Sequence, residues 1–176
     1  MKLTLLIAAL ALALALAACG EGQPEGGATT APPAAAMTPG PLPDNAFKAQ
    51  LTLPSPPARL RAGQKETIQV RVRNASDAQW YARGAPVNTN PDNRFYIAAG
   101  DRWLAADGQT LVSDMDGRYG LQRDLRPGEE EDVPLVITAP KEPGEYVLEV
   151  DLIQEQVSWF RDKGSATAKT KVTVVK

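Results

Sequence analysis

The sequence predicts an all-β fold in which two sheets pack face to face, behind an amino-terminal segment that has no core of its own. Apolar and polar residues alternate with a period of two in several segments, turn-forming Gly and Pro residues separate these segments, and no long stretch has the helical period. The 14 glycines and 15 prolines among 176 residues, with only 6% aromatic residues, fit a fold of short strands and many turns.

Four segments after residue 46 alternate like strands that have one face in water. The first is "ETIQVRVRN", in which Ile or Val occupies every second position, and "DVPLVIT", "EYVLEVDL" and "AKTKVTVV" follow it. In "EYVLEVDL" the pattern places Leu148 and Val150 in the core and Glu149 in solvent. Each sheet is therefore expected to bury one face only.

Tight turns are predicted between the strands. The Asp-Gly pair at 107–108 lies between "RWLAA" and "QTLVS" and predicts a hairpin. An Asp-Gly pair at 116–117 and Pro-Gly pairs at 127–128 and 143–144 predict further turns. Tyr146 follows the last pair, at a place where a corner tyrosine returns its hydroxyl to the backbone. Together these signals predict an immunoglobulin-like β-sandwich behind a disordered tether, with a small barrel as the main alternative.

The amino end has the organisation of an export signal. A short positive start precedes residues 3–18, which are apolar apart from Thr4 and suit a signal peptide better than a membrane span. The run ends in "LAAC", which resembles the lipobox of bacterial lipoproteins. The resemblance implies a lipoprotein signal peptide over residues 1–18, cleavage before Cys19, and lipid on the thiol of this single cysteine. A plain secretory signal with an incidental cysteine is the alternative.

The same resemblance implies a location. Aspartate after the lipidated cysteine tends to retain a lipoprotein in the inner membrane, and this chain has Gly20 there. We therefore expect a lipid anchor in the outer membrane, on its periplasmic side, with inner-membrane and surface-exposed placements as alternatives. Two or more acyl chains hold a protein stably on a membrane, whereas one holds it only marginally.

The rest of the chain divides into two parts. Residues 19–46 consist mainly of Gly, Pro, Ala and Thr, and they cannot bury enough apolar surface to offset the entropy of ordering them. We therefore predict a flexible tether over residues 19–46 and an immunoglobulin-like domain over residues 47–176.

Four short motifs occur along the predicted domain: Asn-x-Ser-x-x-x-Trp after a strand, a Leu-x-Pro-Gly turn, a Pro-Gly-x-Tyr strand start and a final "DLIQEQVSWF". Their residues are Asn74, Ser76, Trp80, Leu125, Pro127, Gly128, Pro143, Gly144, Tyr146, Asp151, Gln154, Trp159 and Phe160. The region from about Leu60 to Phe160 resembles a bacterial immunoglobulin-like domain that occurs beside glycosyltransferases. It is also similar to the four-tryptophan immunoglobulin-like domain of selective-autophagy receptors, although this chain has three tryptophans. Domains of this kind are mostly adaptors or accessories, so the resemblance implies a non-enzymatic role.

The sequence contains no recognisable motif for catalysis or metal binding. Histidine is absent, which removes the commonest general base and the commonest metal ligand. The acidic run at 129–132 follows a predicted turn and is expected to be solvated, and "DMDG" at 114–117 is too short for a calcium loop. A net charge of −2 without a basic cluster provides no footprint for nucleic acid. We predict no enzymatic activity, no cofactor, no metal and no nucleic-acid partner.

Two polar segments are the predicted binding regions: the long, amide-rich loop from Arg83 to Arg94 and the segment "QEQVSWF". The candidate contact residues are Asn88, Asn90, Asp92, Asn93, Gln154, Trp159 and Phe160. Adjacent residues of a strand point to opposite faces, so one of the two neighbouring aromatic rings can fill the core while the other stays exposed. The predicted function is a lipid-anchored envelope module that binds a protein partner, and recognition of a surface or envelope polysaccharide is the alternative.

The lipid anchor makes a direct prediction. Cys19→Ser removes the thiol that would form the thioether, so the variant should take up no label from a fatty-acid probe in the producing cells. Equal labelling of the variant and the parent chain would contradict the lipobox interpretation.

Overall fold

The computed structural model describes residues 39–83 and 94–176, apart from the side chains of Met115 and Asp116. The described residues form nine strands and two single-turn 3-10 helices, at Asp44–Ala46 and Arg161–Lys163. The strands are β1 (Ala49–Thr52), β2 (Arg59–Arg61), β3 (Lys65–Asn74), β4 (Ile97–Ala105), β5 (Leu111–Gly120), β6 (Glu130–Thr138), β7 (Gly144–Gln154), β8 (Ser158–Trp159) and β9 (Ala168–Val175). Within these ranges, no helix has the length and apolar character needed to cross a membrane.

The strands form two sheets, as predicted. One sheet has the order β1-β3-β6, and the other has the order β2-β9-β7-β4-β5, with β8 added beside β7. All pairs are antiparallel except β2 with β9, which run parallel. Strands B and E of an immunoglobulin sandwich share one sheet and strands C, F and G share the other. Here β3 and β6 take the first pair of places and β4, β7 and β9 take the other three, so the chain is an immunoglobulin-like β-sandwich rather than a small barrel.

Aromatic rings fill one end of the core between the two sheets. Phe160 contacts Phe47 and Trp80 edge to face, with ring centroids 5.0 and 5.1 Å apart, and all three are almost fully buried. Trp103 is also buried and meets Tyr146 edge to face, with the centroids 6.4 Å apart. Such pairs stabilise a small sandwich beyond the area they bury, by about 0.5–1.5 kcal/mol each.

The alternation predicted for β3 and β6 is confirmed, because every second residue is buried from Ile68 to Asn74 in β3 and from Val133 to Ile137 in β6. For β7 the predicted register is also right, with Leu148 and Val150 in the core. The expectation that this strand exposes its other face is wrong. Glu149 and Asp151 point away from the core, yet only 3% and 2% of their surfaces are exposed. The segment after β7 and several long cationic side chains cover this outer face, so β7 is buried on both sides.

Three of the four predicted turns occur where the sequence places them. Gly108 and Gly128 adopt φ angles of 68° and 83°, a left-handed conformation that suits glycine in a turn. The third turn leads into β7, and the hydroxyl of Tyr146 donates a hydrogen bond of 2.9 Å to the carbonyl of Glu142. This bond confirms the predicted tyrosine corner.

The predicted turn at 116–117 is wrong, because Gly117 lies inside β5. Gly100 of β4 pairs with Arg118, whereas Arg102 pairs with Asp114, so three residues of β5 oppose a single residue of β4. This bulge brings Gly117 against β6, and a Cβ atom there would lie 2.2 Å from the carbonyl oxygen of Val136. The glycine is needed for close approach of two backbones rather than for a turn.

Gly117→Ala should therefore destabilise the domain strongly, by roughly 3 kcal/mol, because a strand backbone must shift to admit the methyl group. Gly40→Ala is the matched control, since nothing lies within 4 Å of its added Cβ, and it should change the free energy of unfolding by less than about 0.5 kcal/mol. Urea unfolding of both variants checks the prediction, and equal stability would contradict the close approach of β5 and β6.

Candidate functional site

Only part of the predicted site falls within the described residues. Asn88, Asn90, Asp92 and Asn93 lie outside them, as does the predicted lipidation site Cys19. Gln154, Trp159 and Phe160 are described, and the structure gives each of these three a distinct environment.

Gln154, at the end of β7, is fully buried. Its Nε2 atom donates hydrogen bonds to the carbonyls of Gly40 at 3.0 Å and Phe95 at 3.1 Å. Its Oε1 atom accepts a bond of 2.8 Å from the amide of Leu42. The side chain thus joins the first described residues of the chain to Phe95, and it is not accessible to a ligand.

The two neighbouring aromatic rings point to opposite faces, as the sequence predicts. Phe160 is fully buried in the core cluster with Phe47 and Trp80, so it offers no contact surface. Trp159 is half-buried and lies on the outer face of the larger sheet, over Gly100. A Cβ atom at position 100 would lie 2.8 Å from Cη2 of the indole, so the glycine makes room for this ring.

Two guanidinium groups stack on the indole of Trp159. The Cζ atoms of Arg118 and Arg161 lie 4.9 and 4.5 Å from the ring centroid, within the range of a cation–π contact. The π surface that a sugar would use is therefore already engaged by protein cations.

Arg161 also covers a buried carboxylate. Its Nη1 atom lies 3.3 Å from Oδ2 of Asp151, and its backbone amide donates a bond of 3.2 Å to the same oxygen. Burial raises the pKa of Asp151 to about 6, although hydrogen bonds from the amides of Arg161 and Leu152 act in the opposite direction. At this carboxyl group the loss of hydration raises the pKa more than the hydrogen bonds lower it.

The pKa of Glu149, two residues earlier on the same face, shifts in the opposite direction. Burial opposes its ionisation, but hydrogen bonds from Arg102, Thr167 and Lys169 outweigh burial and hold the pKa below its usual value. Thr167 Oγ1 donates at 2.7 Å, and Lys169 Nζ lies 3.2 Å from the same oxygen. The outer face of β7 therefore carries two carboxylates in enclosed ion-pair networks.

The Asn-x-Ser motif has a structural role. Asn74 Nδ2 donates to the carbonyls of Ala78 at 2.7 Å and Leu125 at 3.0 Å, while its Oδ1 accepts from the amide and the hydroxyl of Ser76. Trp80 Nε1, four residues beyond Ser76, donates 3.1 Å to the carbonyl of Ala46. These bonds satisfy buried polar groups at one end of the sandwich.

Exposed aliphatic side chains that the sequence did not predict lie on the edge strands β5 and β6. Leu111 and Val112 of β5 and Val136 of β6 expose 52%, 45% and 47% of their surfaces, and we refer to these three residues as the edge patch. Val136 and Thr138 share the outer face of β6, and Thr138 and Val112 both line a groove of about 410 Å³. The sequence signal for this exposure is the pair of consecutive apolar residues Leu111 and Val112, of which only Val112 lines the groove.

The groove beside the edge patch is lined mainly by the β6–β7 turn. Its residues are Gly63, Val112, Ser113, Thr138, Ala139, Pro140, Lys141, Glu142 and Tyr146. It lies at the start of β7, whereas Gln154 lies at the end of that 11-residue strand. The groove and the point where the described chain begins are thus at opposite ends of the sandwich, separated by about 35 Å of extended strand.

No group of three or more metal-ligating side chains occurs among the described residues. No protein-family model and no curated protein sequence matches the chain. Several solved structures have similar folds. One is the CARDB domain of a Pyrococcus furiosus protein in complex with di-metal ions, with 14% identity, a TM-score of 0.41, and coverage of 73% of this chain and 86% of that one.

Two further solved structures are similar over the same share of this chain. The sporulation control protein Spo0M from Bacillus subtilis has 14% identity and a TM-score of 0.40, with 73% of this chain and 49% of that chain covered. A β-glucosidase from Listeria innocua in complex with glucose has 16% identity and a TM-score of 0.41, with 73% and 16% covered. The class of the protein, an immunoglobulin-like β-sandwich, follows from its own strand order.

The buried Asp151 predicts a pH dependence of stability. Its folded-state pKa of about 6 lies above the ordinary value of 3.8, so the folded protein holds this proton more tightly than the unfolded chain. The free energy of unfolding should therefore fall by about 1 kcal/mol as the pH rises from about 5 to 7.

Two features make this window specific for Asp151. The chain has no histidine, which would otherwise titrate in this pH range. The pKa of Glu149 is lowered, so its contribution to the free energy of unfolding is lost only as the pH falls into a more acidic range. Asp151→Asn should abolish the slope in urea titrations at pH 5, 6 and 7. An unchanged slope in the variant would mean that another group is responsible.

Proposed function

We propose that this protein is a non-enzymatic interaction module of the cell envelope, anchored through lipid on Cys19, that binds a protein partner through the edge patch. The observation that carries the proposal is that three half-exposed aliphatic side chains lie on the two edge strands and that one of them, Val112, lines a groove. Single exposed apolar residues are ordinary on protein surfaces, whereas exposed aliphatic residues on sheet edges beside a concave surface favour an interaction site.

The position of the patch supports a protein partner. Leu111 and Val112 lie on β5, the last strand of the larger sheet, and Val136 lies on β6, the last strand of the smaller one. Edge strands are places where another chain can pair with a sheet, and soluble proteins commonly protect them with charged residues. Here the start of β5 carries aliphatic residues instead.

Polysaccharide recognition has less support among the described residues. Sugar rings usually stack on an accessible aromatic face next to amides or carboxylates. The ring of Trp159 is engaged by two arginines, and the amide of Gln154 is fully used inside the fold. The edge patch, in contrast, consists of aliphatic side chains.

The lipid anchor fits this arrangement. The described chain begins beside Gln154, so an anchor at Cys19 would hold the sandwich by that end. The groove lies at the other end of β7, away from the residues through which the predicted tether joins the sandwich. The attachment point and the edge patch are therefore different parts of the sandwich.

The proposal is tested by photo-crosslinking in cells that produce the full chain. A p-benzoylphenylalanine residue replacing Val112 should give adducts of discrete size, in which mass spectrometry of the tryptic peptides identifies a second protein. The matched position is Asp77, which is exposed near the Gln154 end of the sandwich and should give none. The adducts should also be lost when Val136→Lys is added, because the charge interrupts the patch.

Adducts of equal yield from both positions, or no adduct from position 112, would contradict the proposed function. Adducts whose size falls on treatment with a glycosidase would support polysaccharide recognition instead. Thermal unfolding of the Val136→Lys chain should match that of the parent chain, since this side chain is half-exposed.

A further inference from the structure

We infer that the end of the sandwich where the predicted tether joins the domain rests on the membrane surface, with Phe95 and Val157 placed among the lipid headgroups. This contact goes beyond the proposed function and rests on its lipid anchor, which brings this end of the domain to the bilayer. The contact lies at the end of β7, whereas the groove beside Val112 lies at the start of that strand. The two surfaces therefore serve different partners.

Three partly exposed apolar residues surround Gln154 at this end. The amide of Leu42 donates a hydrogen bond of 2.8 Å to Oε1 of Gln154, and the carbonyl of Phe95 accepts one of 3.1 Å from Nε2. The amide of Val157 donates 3.0 Å to the carbonyl of Gln154. Val157 exposes 38% of its surface, and Leu42 and Phe95 are half-buried. We refer to Leu42, Phe95 and Val157 as the end surface.

The backbone is strained at two positions of the same end. Among the described residues, Phe95 and Gln156 are the two non-glycine residues with a positive φ, at 67° and 61°. Two bonds hold them in place, from the amide of Phe95 to the carbonyl of Glu155 at 3.1 Å and from the amide of Glu155 to the carbonyl of Tyr96 at 3.0 Å. Strained backbone that its surroundings hold in place occurs mainly at binding sites and switch regions. The strain is thus a reason, independent of exposure, to assign a contact to this end.

Arginine side chains stack on aromatic rings at this end and on the adjoining outer face of the larger sheet. In the described part of the chain the pairs are Arg83 with Tyr96, Arg94 with Phe95, and Arg118 and Arg161 with Trp159. Cation–π contacts occur about once in 70–80 residues, so about two would be ordinary for the described residues. A guanidinium group that is stacked on a ring directs its N–H groups past the rim, where they can donate to phosphate oxygens.

The charge at this end fits lipid headgroups better than an acidic partner protein. Arg118 pairs with Glu155. Lys163 pairs with Asp44 at 2.8 Å, so carboxylates of the domain itself balance part of the positive charge. A lipid surface does not require a large excess of positive charge, because apolar side chains buried at the headgroup boundary add to the attraction. The end surface also has too few side chains for a stable protein–protein interface, which needs about 800 Å² from each partner.

The length of the predicted tether keeps this end near the bilayer. Gln154 fastens Gly40 and Leu42 to the sandwich, so the segment between Cys19 and Gly40 separates the domain from its anchor. A flexible segment of about 20 residues has a root-mean-square end-to-end distance of about 25 Å. The effective concentration of the end surface at the lipid is then roughly millimolar, and a weak contact is enough to keep it there.

The contact would give the anchored domain a fixed orientation. The strands of the larger sheet would leave the membrane end first, and Val112 would lie about one strand length from the lipid, roughly 35 Å. A partner would then meet the edge patch at a defined height above the bilayer.

The test places the full chain, as the producing cells process it, in vesicles of phosphatidylethanolamine and phosphatidylglycerol whose acyl chains carry bromine near the headgroup. Bromine quenches indole fluorescence on contact. Val157→Trp adds an indole to the end surface, and its added emission should fall about twofold or more relative to unbrominated vesicles, since the residue would lie at the headgroup boundary. Leu111→Trp is the matched control, because Leu111 is 52% exposed at the start of β5, and its added emission should not change.

A second variant separates docking from mere proximity. Phe95→Asn, added to the Val157→Trp chain, removes the ring and keeps the backbone conformation, because asparagine tolerates a positive φ. It should restore most of the quenched emission, and thermal unfolding without vesicles should show that the sandwich is intact. Quenching that Phe95→Asn leaves unchanged would overturn the contact.

The outcomes separate this contact from the proposed function. Equal quenching at positions 157 and 111, or quenching at neither while the chain stays on the vesicles, would overturn the membrane contact and leave the lipid anchor in place. Protein adducts from p-benzoylphenylalanine at position 157 in cells, without quenching, would overturn it in favour of a protein partner. Quenching at position 157 without a protein adduct from position 112 would support the membrane contact and contradict the proposed function. A chain that does not stay on the vesicles would contradict both.

Discussion

The insertion of Phe160 into the core is the contact on which one whole end of the molecule depends. Its ring meets Phe47 before β1 and Trp80 between β3 and β4, so three separate parts of the chain converge on one side chain. Because neighbouring residues point to opposite faces, burying Phe160 directs Trp159 onto the outside of the larger sheet. Arg161 follows within the same segment and reaches both the indole and Asp151. The burial of the outer face of β7 by Trp159 and Arg161 is thus a consequence of the insertion of Phe160 into the core.

Much of the fold could be predicted from the sequence because its determinants are local. The alternation in β3 and β6, the glycine turns and the tyrosine corner each depend on residues within a few positions of one another. Burial of both faces of β7 could not be predicted in this way, because the residues that cover Glu149 come from β4, from β9 and from the connection between β8 and β9. The role of Gly117 was misread for the same reason, since the backbone that excludes a side chain there belongs to β6.

In the candidate site, too, features that depend on neighbouring residues were predictable and features that depend on distant residues were not. The opposite orientations of Trp159 and Phe160 match the strand pattern in the sequence, although β8 ends at Trp159 and Phe160 has helical backbone angles. The burial of Gln154 depends on partners more than 50 residues away in sequence. The edge patch left a sequence signal in the consecutive residues Leu111 and Val112. That signal becomes interpretable only when the strand is known to lie at a sheet edge, because the same pair inside a sheet would be covered on both faces.

The parallel pair of β2 and β9 has a mechanical consequence. The first described residues and the end of β9 lie at opposite ends of the sandwich, so a force that pulls the two ends of the chain apart acts along the strands. β2 and β9 would then be drawn past each other in opposite directions. The bonds from the amide of Ala62 to the carbonyl of Val175 and from the amide of Thr173 to the carbonyl of Ala58 would be loaded together. Shearing loads these bonds together rather than one after another, so this strand pair would resist extension along the strands more than a pair that is peeled apart bond by bond.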